Sequence, residues 1–243
     1  MGVAFGGVMV SGAVSAAVAT GVYRALRVRP RGRWQRVNHA GRTVDLYAGP
    51  AAVLGTAAGA AVLPLPARTR CAAVLAVLAA GGCGAYDDFA GAGDPRRGFR
   101  AHLGALRDGE VTSGAVKLLG IGAAGLAAGA LLRERPADRV LAAVVIAGGA
   151  HLVNLTDVRP AAAATTVLAL GAPGLWRGGL TAAPLGAVAA LVADDLGPAA
   201  WVRPDRGAGS GACDRKAEEG VDAERRRVTT TRRACVLGHA SPA

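Results

Sequence analysis

The chain has 243 residues, is 52% hydrophobic but only 4% aromatic, contains 36 Gly and 12 Pro, and carries a formal net charge of +11. A soluble domain of this size spreads charge along every helix and fills its core with aromatics and large aliphatics, whereas here Ala, Val, Leu and Gly run in long uncharged stretches. Neither a soluble globular domain nor a disordered chain fits residues 1–200.

Nearly uncharged stretches occur at 1–23, 44–67, 71–86, 118–132, 140–156, 160–176 and 178–193. A spanning helix needs about 20 apolar residues, with roughly 17–25 as the usual range. The first two stretches satisfy this easily, whereas 71–86 and 178–193 are short and imply helices that begin inside the flanking polar segments. The predicted fold is therefore all-α: a polytopic membrane helix bundle of about seven transmembrane helices over 1–200, followed by a polar tail over 201–243. The first stretch lacks the basic leader of a cleaved signal peptide and is read as a retained helix. Gly55/Gly59 and Gly125/Gly129 have the small-residue spacing that lets helices approach closely in lipid.

Alternate connections differ in charge. One set holds Arg24, Arg27, Arg29, Arg31, Arg33, Arg36, Arg42, Arg96, Arg97, Arg100, Arg107, Lys117 and Arg159; the other holds Arg68, Arg70, Arg133, Arg135, Arg139 and Arg177. By the positive-inside rule the first set is cytoplasmic, which puts Met1 outside and the tail inside. The expected location is the plasma membrane. The basicity is assigned to topology, anionic lipid and phosphate chemistry, and no nucleic-acid partner is expected.

Acidic residues outside the tail concentrate where spans meet the predicted inner face. Asp87 and Asp88 follow the third span in Gly84-Ala85-Tyr86-Asp87-Asp88, and Asp157 follows the fifth in Asn154-Leu155-Thr156-Asp157. Carboxylates near a membrane are costly, about 2.5–3.5 kcal/mol at a helix centre on insertion scales and less near the interface, so these are candidate functional residues. Adjacent carboxylates repel each other, and a shared divalent cation or basic group relieves that repulsion. The alternative for Asp87-Asp88 is simple termination of a helix at the water interface. The first inner loop, Trp34 to Pro50, adds Asn38 and Arg42, and the second adds Arg96, Arg97, Arg100 and Lys117. Cationic side chains of this kind suit phosphate oxygens, while the carboxylates suit Mg²⁺.

In order, Asn38-x-x-Gly41-Arg42-x-Val44, Gly84-Ala85-Tyr86-Asp87-Asp88 and Asn154-Leu155-Thr156-Asp157 resemble motifs of the polyprenyl-phosphate sugar-1-phosphate transferases. That superfamily includes phospho-MurNAc-pentapeptide translocase and the GlcNAc-1-phosphate transferases. The resemblance implies Mg²⁺-dependent attack of a polyprenyl phosphate on the β-phosphate of a UDP-sugar, releasing UMP in cell-envelope glycan synthesis. It implies that Asp87 and Asp88 position the lipid phosphate and organise the metal, and that Asn154 and Asp157 serve the nucleotide-sugar side. Asn38, Lys117, Arg96, Arg97 and Arg100 are candidate substrate contacts.

The sequence departs from that pattern in places. His151 stands where the family has its first loop Asn, Val158-Arg159-Pro160 replaces the following Gly-x-Asp, and the later M-G-D-x-G motif is not recognisable. The loss of span character after residue 200 reads as a truncation or a frameshift. A second expectation is thus an inactive membrane homologue that binds polyprenyl phosphate or partner envelope enzymes. A small transporter or channel is a third, disfavoured because no charge pair lies mid-span.

Overall fold

The computed structural model describes residues 2–28, 34–37, 43–91, 94, 96, 98–157, 162–177 and 179–196. Contacts within the chain divide it into two units, Met1–Asp195 and Leu196–Ala243. The expected tail over 201–243 lies outside the described residues, as do Asn38 and Arg97.

Eight α-helices carry the described residues: α1 (Gly2–Arg27), α2 (Ala48–Ala61), α3 (Ala67–Ala90), α4 (Gly98–Arg107), α5 (Ser113–Leu132), α6 (Pro136–Thr156), α7 (Ala162–Gly171) and α8 (Ala182–Leu196). A short antiparallel ribbon, β1 (Gln35–Val37) on β2 (Thr43–Asp45), joins α1 to α2. Four helices are long and apolar enough to cross a bilayer: α1, α3, α5 and α6. The described residues are mainly helical, with four helices of membrane-crossing length and composition.

Three stretches expected as spans form shorter helices. Residues 44–67 were expected to be one helix, but Val44 pairs with Arg36 in the ribbon and Pro64 and Pro66 follow the other end. That leaves 14 residues in α2, about 21 Å of helix against a hydrocarbon core of about 30 Å. Pro173 similarly closes α7, whose chain continues as a 3-10 segment over Ala172–Arg177. The opposite happens in α3, which takes in Arg68 and Arg70 at one end and Asp87 and Asp88 at the other. The aspartates are in the last turn of a long helix rather than beyond it.

Small residues set the packing. A Cβ on Gly55 would meet Ser15 O at 2.6 Å and Ala19 Cβ at 2.7 Å, so α2 lies directly on α1. A Cβ on Gly125 would meet Ala143 O at 2.9 Å, and one on Gly129 would strike Arg139 O, which places α5 equally close to α6. Gly186 lies against Gly12 O, bringing α8 onto α1, and Gly171 of α7 meets Leu185 of α8. Further contacts join α2 to α3, α3 to α5, and α6 to α7. Each of the seven apolar helices therefore touches the next, and the sequence of contacts closes between α8 and α1.

Two buried hydroxyls tie this junction. Ser11 Oγ donates to Gly59 O at 2.9 Å, and Ser15 Oγ donates to Ala183 O at 2.6 Å. Hydroxyl bonds between helices in lipid average about 0.6 kcal/mol. Because Ser15 is fully buried, Ser15→Ala is expected to cost about 1 kcal/mol. Thermal unfolding in detergent measures this, and an unchanged Tm contradicts it.

Between α3 and α5, α4 ends in a Schellman motif. Gly109 has φ +84, its N–H donates to Leu106 O at 3.1 Å, and Glu110 N–H donates to Ala105 O at 2.8 Å. The turn sends the chain back to Thr112, whose hydroxyl accepts from Ala115 N at 3.1 Å and caps α5.

Candidate functional site

Three of the residues singled out in the sequence meet in space. Asp87 is on the last turn of α3, Lys117 lies just over one turn into α5, and Asn154 is on the last turn of α6. Lys117 Nζ is 3.2 Å from Asp87 Oδ2 and 2.6 Å from Asn154 Oδ1. Ser113, four residues before Lys117 and so on the same helix face, donates to Asp87 Oδ1 at 2.8 Å. The C-terminal ends of α3 and α6 and the N-terminal end of α5 thus form one polar end of the bundle.

The electrostatics of this cluster are unusual for a purely structural contact. A helix N-terminus carries positive partial charge and disfavours a lysine, and a helix C-terminus disfavours a carboxylate. Asp87 sits in the last turn of α3, the unfavourable end for a carboxylate, and the Lys117 ammonium offsets that. Their side chains are 14% and 30% exposed, so the pair is only partly desolvated and is reachable from outside.

Around this centre the other candidates are placed unevenly. Asp88 is half-buried on the same turn as Asp87. Asp157 follows α6 as an exposed residue, and its N–H bonds to Asn154 O at 3.4 Å. Its carboxylate makes no side-chain bond to Asp87, Lys117 or Asn154. Arg96 is held by two acidic partners, Glu110 at 2.7 Å and Asp94 at 3.7 Å, and Arg100 is exposed on α4. Trp34, at the start of the first loop, packs edge-on against Phe89 with ring centroids 4.9 Å apart and against Tyr47 at 5.7 Å. That loop is therefore anchored two residues from Asp87.

Sequence reasoning missed several residues here. Ser113 reads as an ordinary helix start, although its i, i+4 spacing to Lys117 marks a shared face. His102 Nδ1 lies 2.9 Å from the Thr112 hydroxyl, which holds α4 against the cap of α5. Phe99 of α4 sits edge-on to His151 of α6 at 5.4 Å. His151 Nε2 is buried with no hydrogen-bond partner among the described residues, one helical turn from Asn154.

The donor chemistry fits a metal only in a shared form. Among the described residues no group of three or more His, Cys, Asp or Glu side chains is arranged to cage an ion. Mg²⁺, however, is commonly held by one or two carboxylates together with substrate phosphates and water. Asp87 and Asp88 supply that minimum, with part of the Asp87 carboxylate already engaged by Ser113 and Lys117.

The fold and site define a helical bundle with four helices of membrane-crossing length and composition and an Asp-Lys-Asn cluster at one end. No family model matches the chain, and no curated protein or solved structure matches it.

Proposed function

We propose that the chain is a plasma-membrane transferase that moves a sugar-1-phosphate from a UDP-sugar to polyprenyl phosphate. The observation that carries this reading is the convergence of Asp87, Lys117 and Asn154 on one point from three helices. Asp87 and Asn154 belong to separate motifs resembling that superfamily, and Lys117 is a candidate by its charge and its position beside them.

In this proposal an oxygen of the lipid phosphate attacks the β-phosphorus of the UDP-sugar. One P–O bond forms, the bridging P–O bond to the α-phosphate breaks, and UMP leaves with the bonding pair. A phosphate monoester has a second pKa near 6, so at neutral pH the acceptor is already largely dianionic and needs no strong base. The work of the protein is then to position the acceptor and neutralise charge. Lys117 is the cation placed for a phosphate oxygen. Asn154 fixes the lysine, while Ser113 and Lys117 fix the Asp87 carboxylate. Asp87 and Asp88 together outweigh the single lysine charge and would repel a phosphate dianion. A Mg²⁺ held by those two carboxylates and the substrate phosphates would offset that repulsion and polarise the phosphoryl oxygens. Asp157, Arg100 and the first-loop Asn38 are assigned to the nucleotide-sugar side.

Membranes containing the full chain, supplied with Mg²⁺, polyprenyl phosphate and a panel of UDP-sugars, test the reading by UMP release. Asp87→Asn and Asp88→Asn are each expected to lower release by about 100-fold or more, with folded protein retained. Full activity in both variants removes the aspartates from the site. Absence of UMP release with every donor, alongside saturable binding of polyprenyl phosphate, supports the second reading, an inactive lipid-phosphate-binding protein. That second reading is favoured by the sequence, in which no M-G-D-x-G motif is recognisable.

A further inference from the structure

The proposed reaction leaves α4 unexplained. Its sequence, Gly98-Phe99-Arg100-Ala101-His102-Leu103-Gly104-Ala105-Leu106-Arg107, contains no acidic residue. At 100° per residue, Ala101, His102, Ala105 and Leu106 share the side that faces the protein, where His102 bonds Thr112 and its ring lies on Gly114. Phe99 and Leu103 are adjacent on the outer side and are 42% and 55% exposed. Arg107 and Arg100 form the next strip around the helix, and both are exposed. An apolar strip therefore runs beside a basic strip on a face that stays exposed, with Phe99 touching His151 at one edge only.

The position of α4 limits what can cover that face. It follows α3 and precedes α5, both long enough to cross a bilayer, and only residues 108–112 separate it from α5. Five extended residues reach at most about 18 Å, and the His102–Thr112 contact draws α4 in further, to the very start of α5. The helix is thus held at the level where the chain's own spans meet the headgroups. A short helix with an apolar strip and flanking arginines at that level has the chemistry of an interfacial element. Its two arginines, Arg100 and Arg107, make no ion pair among the described residues and complement anionic lipid.

We propose that α4 docks along the lipid–water interface of the bilayer its neighbouring helices cross, with Phe99 and Leu103 in the acyl boundary and Arg100 and Arg107 on anionic phospholipid headgroups. Through His102 on Thr112 and Phe99 on His151, the docked helix braces the starts and ends of the two helices that supply Lys117 and Asn154. This inference is independent of the catalytic reading.

The test uses the full chain with its cysteines replaced by Ser and a single nitroxide at L103C or G104C. It is reconstituted in nanodiscs of phosphatidylcholine, with or without phosphatidylglycerol. Gly104 accepts a side chain freely, since a Cβ there meets nothing within 4 Å. In discs containing phosphatidylglycerol, the label at 103 is expected to be reached by oxygen and shielded from an aqueous nickel chelate, while the label at 104 is reached by the chelate. Charge near an anionic surface is worth about fivefold per arginine in the docked-to-undocked ratio. The R100Q/R107Q pair should therefore lower that ratio by about 30-fold in phosphatidylglycerol discs and leave it unchanged in phosphatidylcholine. Equal access of the chelate to both labels overturns the proposal. Shielding of position 103 from both reagents also overturns it, because a protein surface then covers the face. Hydrogen exchange on the unsubstituted chain asks the same question without variants: protection of residues 99–107 should rise with phosphatidylglycerol, and identical protection in both lipids refutes the docking.

Discussion

Lys117→Met is expected to cost about 2 kcal/mol of stability and, if the transferase reading holds, to lower UMP release by about 100-fold. The stability estimate starts from the cost of removing one partner of a buried ion pair, about 3–5 kcal/mol. It is reduced because the Asp87 side chain is 30% exposed and water screens part of the loss. After the substitution Asp87 keeps its bond from Ser113 but loses its only nearby cation among the described residues, and it remains near the C-terminus of α3, where a carboxylate is unfavourable. Asp87→Asn should cost less, because an amide still accepts from Ser113 and Lys117 still bonds Asn154. Combining the two changes should recover part of the loss, giving a coupling of about 1 kcal/mol or more in a double-mutant cycle by thermal unfolding in detergent. Strictly additive losses would show that the 3.2 Å contact contributes nothing to the fold. Turnover of the single Lys117→Met variant, measured well below its unfolding midpoint, separates the two roles: the loss of UMP release persists there if Lys117 serves substrate and disappears if the lysine serves the fold alone.

Much of this site was legible in the sequence, and the reason is the bilayer. Where 20 residues must be apolar, a lone Lys117, an Asp87-Asp88 pair and an Asn154-to-Asp157 run stand out against Ala, Leu and Gly. Their alternation along the chain implied a common side of the membrane. The meeting of the ends of α3, α5 and α6 agrees with that alternation. The small-residue pairs were legible for a related reason: Gly55/Gly59 and Gly125/Gly129 both mark close helix crossings.

What was not legible depends on contacts that no periodicity encodes. Val44 looks as apolar as its neighbours, yet cross-strand pairing with Arg36 withdraws it from α2. The reach of α3 through Asp88 is hidden in the sequence because charge normally marks the end of a span, whereas the helix continues to Ala90. Ser113 and His102 are ordinary polar residues in sequence, and only the turn at Gly109 brings them to Asp87 and Thr112. Arg96 was chosen for phosphate by its charge, and its pairing with Glu110, 14 positions on, could not be read from its neighbours.

Gly59→Val is expected to be among the damaging single changes in the bundle away from the polar cluster, costing about 3 kcal/mol and lowering the yield of folded protein. A Cβ there would lie 2.8 Å from Ser11 O, 2.8 Å from Ser15 Cβ and 3.0 Å from Ala183 Cβ. Three helices, α1, α2 and α8, would have to give way together, because all three contacts are to a backbone oxygen or to a Cβ that no rotamer can move. The same shift would stretch the Ser11 and Ser15 bonds to Gly59 O and Ala183 O, which depend on the close approach. In lipid the helices are not driven together by water, so contact and hydrogen bonds supply most of the association energy, and separation loses both at once. Gly122→Ala is the matched control on a spanning helix, because a Cβ at that position meets nothing within 4 Å. It should change stability by less than about 1 kcal/mol. Thermal unfolding of both variants in the same detergent decides the matter. Equal midpoints would mean that α1, α2 and α8 do not pack through Gly59.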